Sequence, residues 1–117
     1  MKSKYFIQII YLKNCPHSYN ALQLLINNNI PFTKITVTNN DKHIYKNDII
    51  NTFPQIYLKK KNHNDSLLIG GFDNIYTIIN NYKNNINNID NFIENINVFK
   101  FSKKVSLRIF QLLNSKL

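Results

Sequence analysis

Tryptophan is absent from this 117-residue chain, cysteine and methionine occur once each, glycine twice and proline three times. One cysteine excludes an internal disulfide and any zinc site built from several thiolates of one chain. It also fits a reducing compartment, so a cytoplasmic location is expected. Acidic residues are scarce too: six Asp and Glu against fifteen Lys and Arg leave a net charge of +9. Such a surface attracts anions, but charge alone does not choose among nucleic acid, acidic protein faces, membrane phosphates and small anionic ligands. No apolar run reaches the ~18 residues of a membrane span. The opening MKSKYFIQIIYLKN is interrupted by Gln8, ends at Lys13 and lacks a small-residue cleavage pattern; it reads as a first strand rather than a signal peptide. His43 and His63 have no partners at ligand spacing, so no metal site made of side chains alone is expected.

What is present is apolar. Hydrophobic residues make up 44% and aromatics 13% of the chain, which excludes a disordered polymer and predicts a packed core. The length allows one domain with an appendage. Residues 5–12, YFIQIIYL, are aromatic and β-branched with little polar alternation, as in a strand covered on both faces. Pro16 then stands where a first helical turn tolerates it, and Ala21, Leu22, Leu24, Leu25 and Ile26 form a helical apolar face. Residues 30–38, IPFTKITVT, read as a second strand. Ile44, Tyr45 and Ile49 after a capping Asp41 predict a short second helix. FPQIYLKKK and DSLLIGG, joined by a basic polar turn, read as a β-hairpin. From Asp73, isoleucines and aromatics recur at helical intervals to Ile96 in one frayed helix or two joined near 83–88, because Asn is a poor helix former. The Asn excess reads as compositional bias without a function. Residues 99–117 read as a basic amphipathic helix that adds a packing layer. The order is β-α-β-α-β-β-α with helical additions.

A lone cysteine is either a small buried apolar residue or a reactive group. Cys15 lies between a strand and a helix, with Lys13 before it and His17 after it. A helix N-terminus stabilises a thiolate through its unpaired N–H groups and dipole, so the setting is a reactive one.

Three short stretches then stand in order along the chain: Cys15, Pro16, His17 and Ser18; Thr52, Phe53 and Pro54 before the apolar Gln55 to Leu58; and Gly70, Gly71, Phe72, Asp73 and Asn74. Together they resemble the glutaredoxins, thioredoxin-fold proteins that use glutathione. The family motif is Cys-Pro-aromatic-Cys or a monothiol form ending in Ser, followed by Thr-Val-Pro with a cis-proline and by Gly-Gly-X-Asp before a helix. The resemblance spans roughly residues 5–82. It implies an α/β thioredoxin-like fold with a central four-stranded mixed sheet flanked by helices, a glutaredoxin-like domain over 1–82, and extra C-terminal helices over 83–117.

The resemblance also implies roles. Cys15 attacks the mixed disulfide between glutathione and a protein and holds the glutathione. Thr52 and Phe53 pair with the extended tripeptide through their backbone, as an added strand does. Pro54 is cis beside the sulfur, Phe72 and Asp73 hold the γ-glutamyl end, and Lys13 or Lys46 faces the glycine carboxylate. His17 fills the aromatic third position of the motif and borders the glutathione. The partners implied are glutathione and glutathionylated proteins, with a monomeric chain and no nucleic acid.

Two departures bear on mechanism. Ser18 replaces the resolving cysteine, and a hydroxyl cannot displace glutathione from Cys15, so a second glutathione must. Family members usually carry Lys or Arg three residues before the cysteine, where this chain has Leu12, with Lys13 one place closer. Monothiol members with Cys-Gly-Phe-Ser hold a 2Fe–2S cluster between two subunits, one cysteine from each and two glutathiones; here Pro16 replaces that glycine and stiffens the loop. A dimeric cluster carrier ligated by Cys15 is therefore one alternative. A thioredoxin-fold interaction module with a dead site, recruited by its basic tail, is the other.

Overall fold

The β-branched and aromatic run at the start of the chain forms β1 (Tyr5–Leu12), and the helix that Pro16 opens is α1 (Pro16–Asn27). The computed structural model describes residues 4–114. The chain continues through β2 (Phe32–Val37), a 3-10 turn (Lys42–Tyr45), β3 (Gln55–Lys60), β4 (Ser66–Gly70), α2 (Phe72–Asn84), α3 (Ile89–Asn95), a second 3-10 turn (Ile96–Phe99) and α4 (Lys103–Asn114). The strands form one mixed sheet in the order β2-β1-β3-β4. β1 runs parallel to β2 and antiparallel to β3, and β3 is antiparallel to β4. This is the thioredoxin-like arrangement with extra C-terminal helices.

Strand alternation divides the sheet into two unlike faces. Tyr5, Ile7, Ile9, Ile56, Leu58 and Ile69 share one core cluster with residues of all four helices, among them Leu25, Ile78, Phe92 and Ile109. On the opposite face Ile10, Val37 and Gln55 are buried, while Phe6, Gln8, Leu12, Ile35 and Tyr57 are half-buried. β1 is thus not fully covered on both sides.

The reason lies in the segment expected to form a second helix. Only the 3-10 turn Lys42–Tyr45 forms there, Asp41 gives it no side-chain cap, and Ile44 and Ile49 are 67% and 84% exposed. The Asp41 carboxylate accepts instead from the Thr38 hydroxyl. Asn47 Oδ1 accepts the N–H groups of both Ile49 and Ile50, a local side-chain turn that competes with helix. Gln55, almost wholly buried, ties the turn to the sheet by donating from Nε2 to the Tyr45 carbonyl at 2.8 Å.

The isoleucine-rich stretch is two helices with a break at 85–88, and its asparagines build the break. Asn85 is buried; its Nδ2 donates to the Asn81 carbonyl at 2.8 Å and its Oδ1 accepts from Asn91 Nδ2 at 2.6 Å. Asn88 caps α3 by accepting the Asn91 N–H at 3.0 Å. An amide carries both donor and acceptor, so part of the Asn excess has a structural use that composition did not reveal. In α4, which Ser102 caps, Ile109, Leu112 and Leu113 are buried in the common core. Residues 115–117 of the expected tail helix lie outside the described residues.

Candidate active site

Cys15 is the N-cap of α1, with extended backbone angles and Pro16 at the first helical position. Pro16 has no N–H to offer, so the free donors of this helix end are those of His17 and Ser18. No acidic residue lies in the first turn, which leaves the positive end of the helix dipole open to an anion. The thiol is half-buried and unbonded to another sulfur.

The turn leading to Cys15 is held on both sides. Asn14 takes a left-handed conformation with φ 65°, which Asn tolerates better than most residues. Lys13 N–H donates to the Val37 carbonyl at 2.8 Å and Cys15 N–H to the Leu12 carbonyl at 3.2 Å. Ser18, where a resolving cysteine stands in dithiol relatives, is fully buried. Its Oγ accepts the Leu12 N–H at 3.1 Å, so the serine ties the end of β1 to the first turn of α1. Sequence reasoning treated Ser18 only as a missing thiol.

The β1–β3 register sets the other wall. Ile10 lies opposite Gln55, so Pro54, one residue before, comes alongside the end of β1 from which the Cys15 turn issues. The Phe53–Pro54 peptide is cis. Beyond β4, Gly70 has φ +139°, and a Cβ there would overlap the Asn74 side chain. Asn74 Nδ2 donates to the Ile69 carbonyl at 3.0 Å and fixes the entry to α2. The N-cap of α2 is Gly71, and Asp73 lies in the first turn without capping it; its carboxylate is exposed.

These elements meet around a cavity of about 320 Å³ whose walls include His17, Thr52, Phe53, Pro54, Phe72 and Asp73. Gly71 and Asn74, not anticipated as site residues, also line it. Cys15 lines a neighbouring hollow of about 360 Å³ with Tyr11, Asn14 and Tyr19. Lys13 and Lys46 are exposed and belong to neither lining. The two hollows are linked through the first turn of α1, which gives Cys15 and Pro16 to one and His17 to the other, and a thiol at a helix N-terminus can exchange with a disulfide.

A glutaredoxin family model matches residues 3–63, more than half of the chain. The match takes in Cys15 to Ser18 and Thr52 to Pro54 and ends before Gly70. No curated protein matches the chain. On the family match the chain belongs to the glutaredoxins, thiol–disulfide oxidoreductases of the thioredoxin fold whose members in general use glutathione.

Proposed function

We propose that the protein removes glutathione from protein mixed disulfides by a monothiol route through Cys15, in a reducing cytoplasm. The Cys15 thiolate attacks the glutathione sulfur, and the freed protein leaves as a thiolate that takes up a proton. A second glutathione thiolate then attacks the glutathione sulfur held on Cys15. Oxidised glutathione departs and the Cys15 thiolate returns, so each turnover consumes one free glutathione thiol, releases one protein thiol and passes the disulfide from the protein–glutathione pair to a glutathione pair.

The observation that carries this reading is the single cavity formed by three stretches far apart in sequence, immediately beside the helix that Cys15 caps. In it Thr52 and Phe53 offer backbone groups to the cysteinyl part of glutathione, and Pro54 borders the sulfur. Asp73 meets the γ-glutamyl ammonium, the start of α2 receives the γ-glutamyl carboxylate, and Phe72 and His17 flank the chain. Lys13 and Lys46 have long, exposed side chains, which supply positive charge toward the glycine carboxylate. The oxidoreductase unit comprises residues 1–82 and the addition residues 83–117, whose Phe92, Ile96, Ile109, Leu112 and Leu113 join the common core.

The test is turnover of a glutathionylated peptide by the full chain with reduced glutathione. Wild type transfers glutathione and, stopped early, carries one glutathione on Cys15 by mass. Cys15→Ser abolishes both, and Asp73→Asn raises KM about tenfold, the scale of one lost charge-assisted hydrogen bond, with little change in kcat. A wild-type protein that transfers nothing overturns the proposal. So does a brown dimer as the active species after anaerobic purification with glutathione, which assigns Cys15 to a cluster instead.

A further inference from the structure

The basic hairpin turn and the basic C-terminal helix have no part in the Cys15 site, yet they meet. At the opposite end of β1, seven residues and roughly 20 Å of strand away, lies a cavity of about 370 Å³. Leu58, Leu67 and Val105 line it as apolar surface, and Lys59, Lys60 and Arg108 as cations, with the His63 imidazole beside them and Asp65 the single acidic side chain of the lining.

Register explains the mixture. Lys60 lies opposite Tyr5, and Leu58 lies opposite both Ile7 and Leu67, so Lys60, Leu58 and Leu67 all face the helical layer. Ile69, two residues on, is buried, whereas Leu67 on the same face is 37% exposed. α4 roofs this end of the sheet with Val105 and Arg108 and leaves the space between them unfilled. Three cations of the lining, Lys59, Lys60 and Arg108, face one carboxylate, Asp65, so positive charge is in excess among these residues. Tyr5 and Leu58 to His63 lie inside the 3–63 family match, whereas Val105 and Arg108 lie beyond it, so the roof of the cavity comes from the helices added to the sheet.

The geometry points to a binding site for a small amphipathic anion, an aliphatic carboxylate whose chain covers Leu58, Leu67 and Val105 and whose head meets Arg108 and Lys60. The guanidinium suits a carboxylate because it presents paired N–H donors to both oxygens. The volume lies at the lower end of the ~300–1,000 Å³ of small-molecule sites and suits a single acyl chain. A neutral apolar molecule leaves the cations unpaired, and a bare anion leaves the apolar floor wet.

The experiment is titration of the ¹⁵N-labelled full chain with decanoate below its micelle concentration, followed by amide spectra. Decanoate should shift the amides of Leu58, Ser66, Leu67, Val105 and Arg108 saturably, whereas decanol and acetate should not. Lys60→Gln with Arg108→Gln should weaken binding at least about tenfold, as loss of charge-assisted contacts does. Leu67→Glu, which places a carboxylate at the floor, should abolish it and decides the matter if the double variant does not fold. Non-saturating shifts, equal binding of decanol, or affinity unchanged by folded variants overturns the assignment. None of these outcomes depends on glutathione transfer by Cys15.

Discussion

Ser18→Ala isolates what the serine of the motif does apart from chemistry. The Ser18 side chain is fully excluded from solvent, and its Oγ is the acceptor of the Leu12 N–H at 3.1 Å. Removing the hydroxyl leaves a backbone donor inside the protein without a partner, which costs ~1–3 kcal/mol. Water does not replace it, because a deleted hydroxyl vacates less than the ~30 Å³ that a water molecule occupies in the liquid. The middle of that range, about 2 kcal/mol, corresponds to a Tm lower by roughly 8 °C for a chain of this length. Urea unfolding followed by far-ultraviolet circular dichroism gives the free energy, and an unchanged m-value shows that the unfolded state is unaltered. The Leu12 amide should also exchange faster with solvent deuterium in the variant. Stability within about 0.5 kcal/mol of wild type, the range of ordinary surface substitutions, with unchanged Leu12 exchange, refutes the reasoning.

The two glycines should part company. Gly70→Ala must adopt φ +139° and displace Asn74, at a cost of ~1–3 kcal/mol, whereas Gly71→Ala meets only the Pro54 carbonyl at 3.6 Å and should melt near wild type; equal melting temperatures argue against the assigned strain. Ending the chain after Val98 removes Ile109, Leu112 and Leu113 from the core, a loss of order 5–9 kcal/mol at ~1.5–3 kcal/mol each, comparable to the whole stability of a domain. Circular dichroism of the truncated chain should show it largely unfolded, and a cooperative melt near wild type would sink this account of α4. Burial raises the phenols of Tyr57 and Tyr82 above their ordinary value, so above pH ~10 the unfolded chain binds fewer protons than the folded one. Stability should be unaffected by these groups below that pH and fall above it; in Tyr57→Phe the alkaline fall in urea midpoint should be shallower, and an identical fall contradicts the assignment.

The elements that sequence reasoning located well are those whose residues are fixed by burial or by a unique backbone demand. β1, α1, the hairpin and the isoleucine periodicity of α2 and α3 fall where apolar spacing places them, because those side chains fill one core. The three motif stretches were legible as a resemblance and meet around one cavity. The second helix was misread because Ile44, Tyr45 and Ile49 have helical spacing while the polar residues between them decide the backbone: Asn47 satisfies two N–H groups that a helix would need. Hydrophobic spacing alone does not report that competition.

The same physics explains why the asparagines were undervalued. An amide's contribution depends on which carbonyl or amide the fold brings within reach, and that partner is invisible to composition. Asn85, Asn88 and Asn74 each satisfy a specific group at a helix boundary, and Asn14 supplies a left-handed turn immediately before the thiol. A chain with only two glycines, both spent at the start of α2, needs another residue type for its remaining tight turns. The left-handed non-glycine positions are Asn14, Asn29 and Asn62 together with Lys100 among the described residues. Asparagine, the side chain that pays least for that conformation after glycine, thus takes three positions of the kind glycine usually fills, among them the turn that presents Cys15.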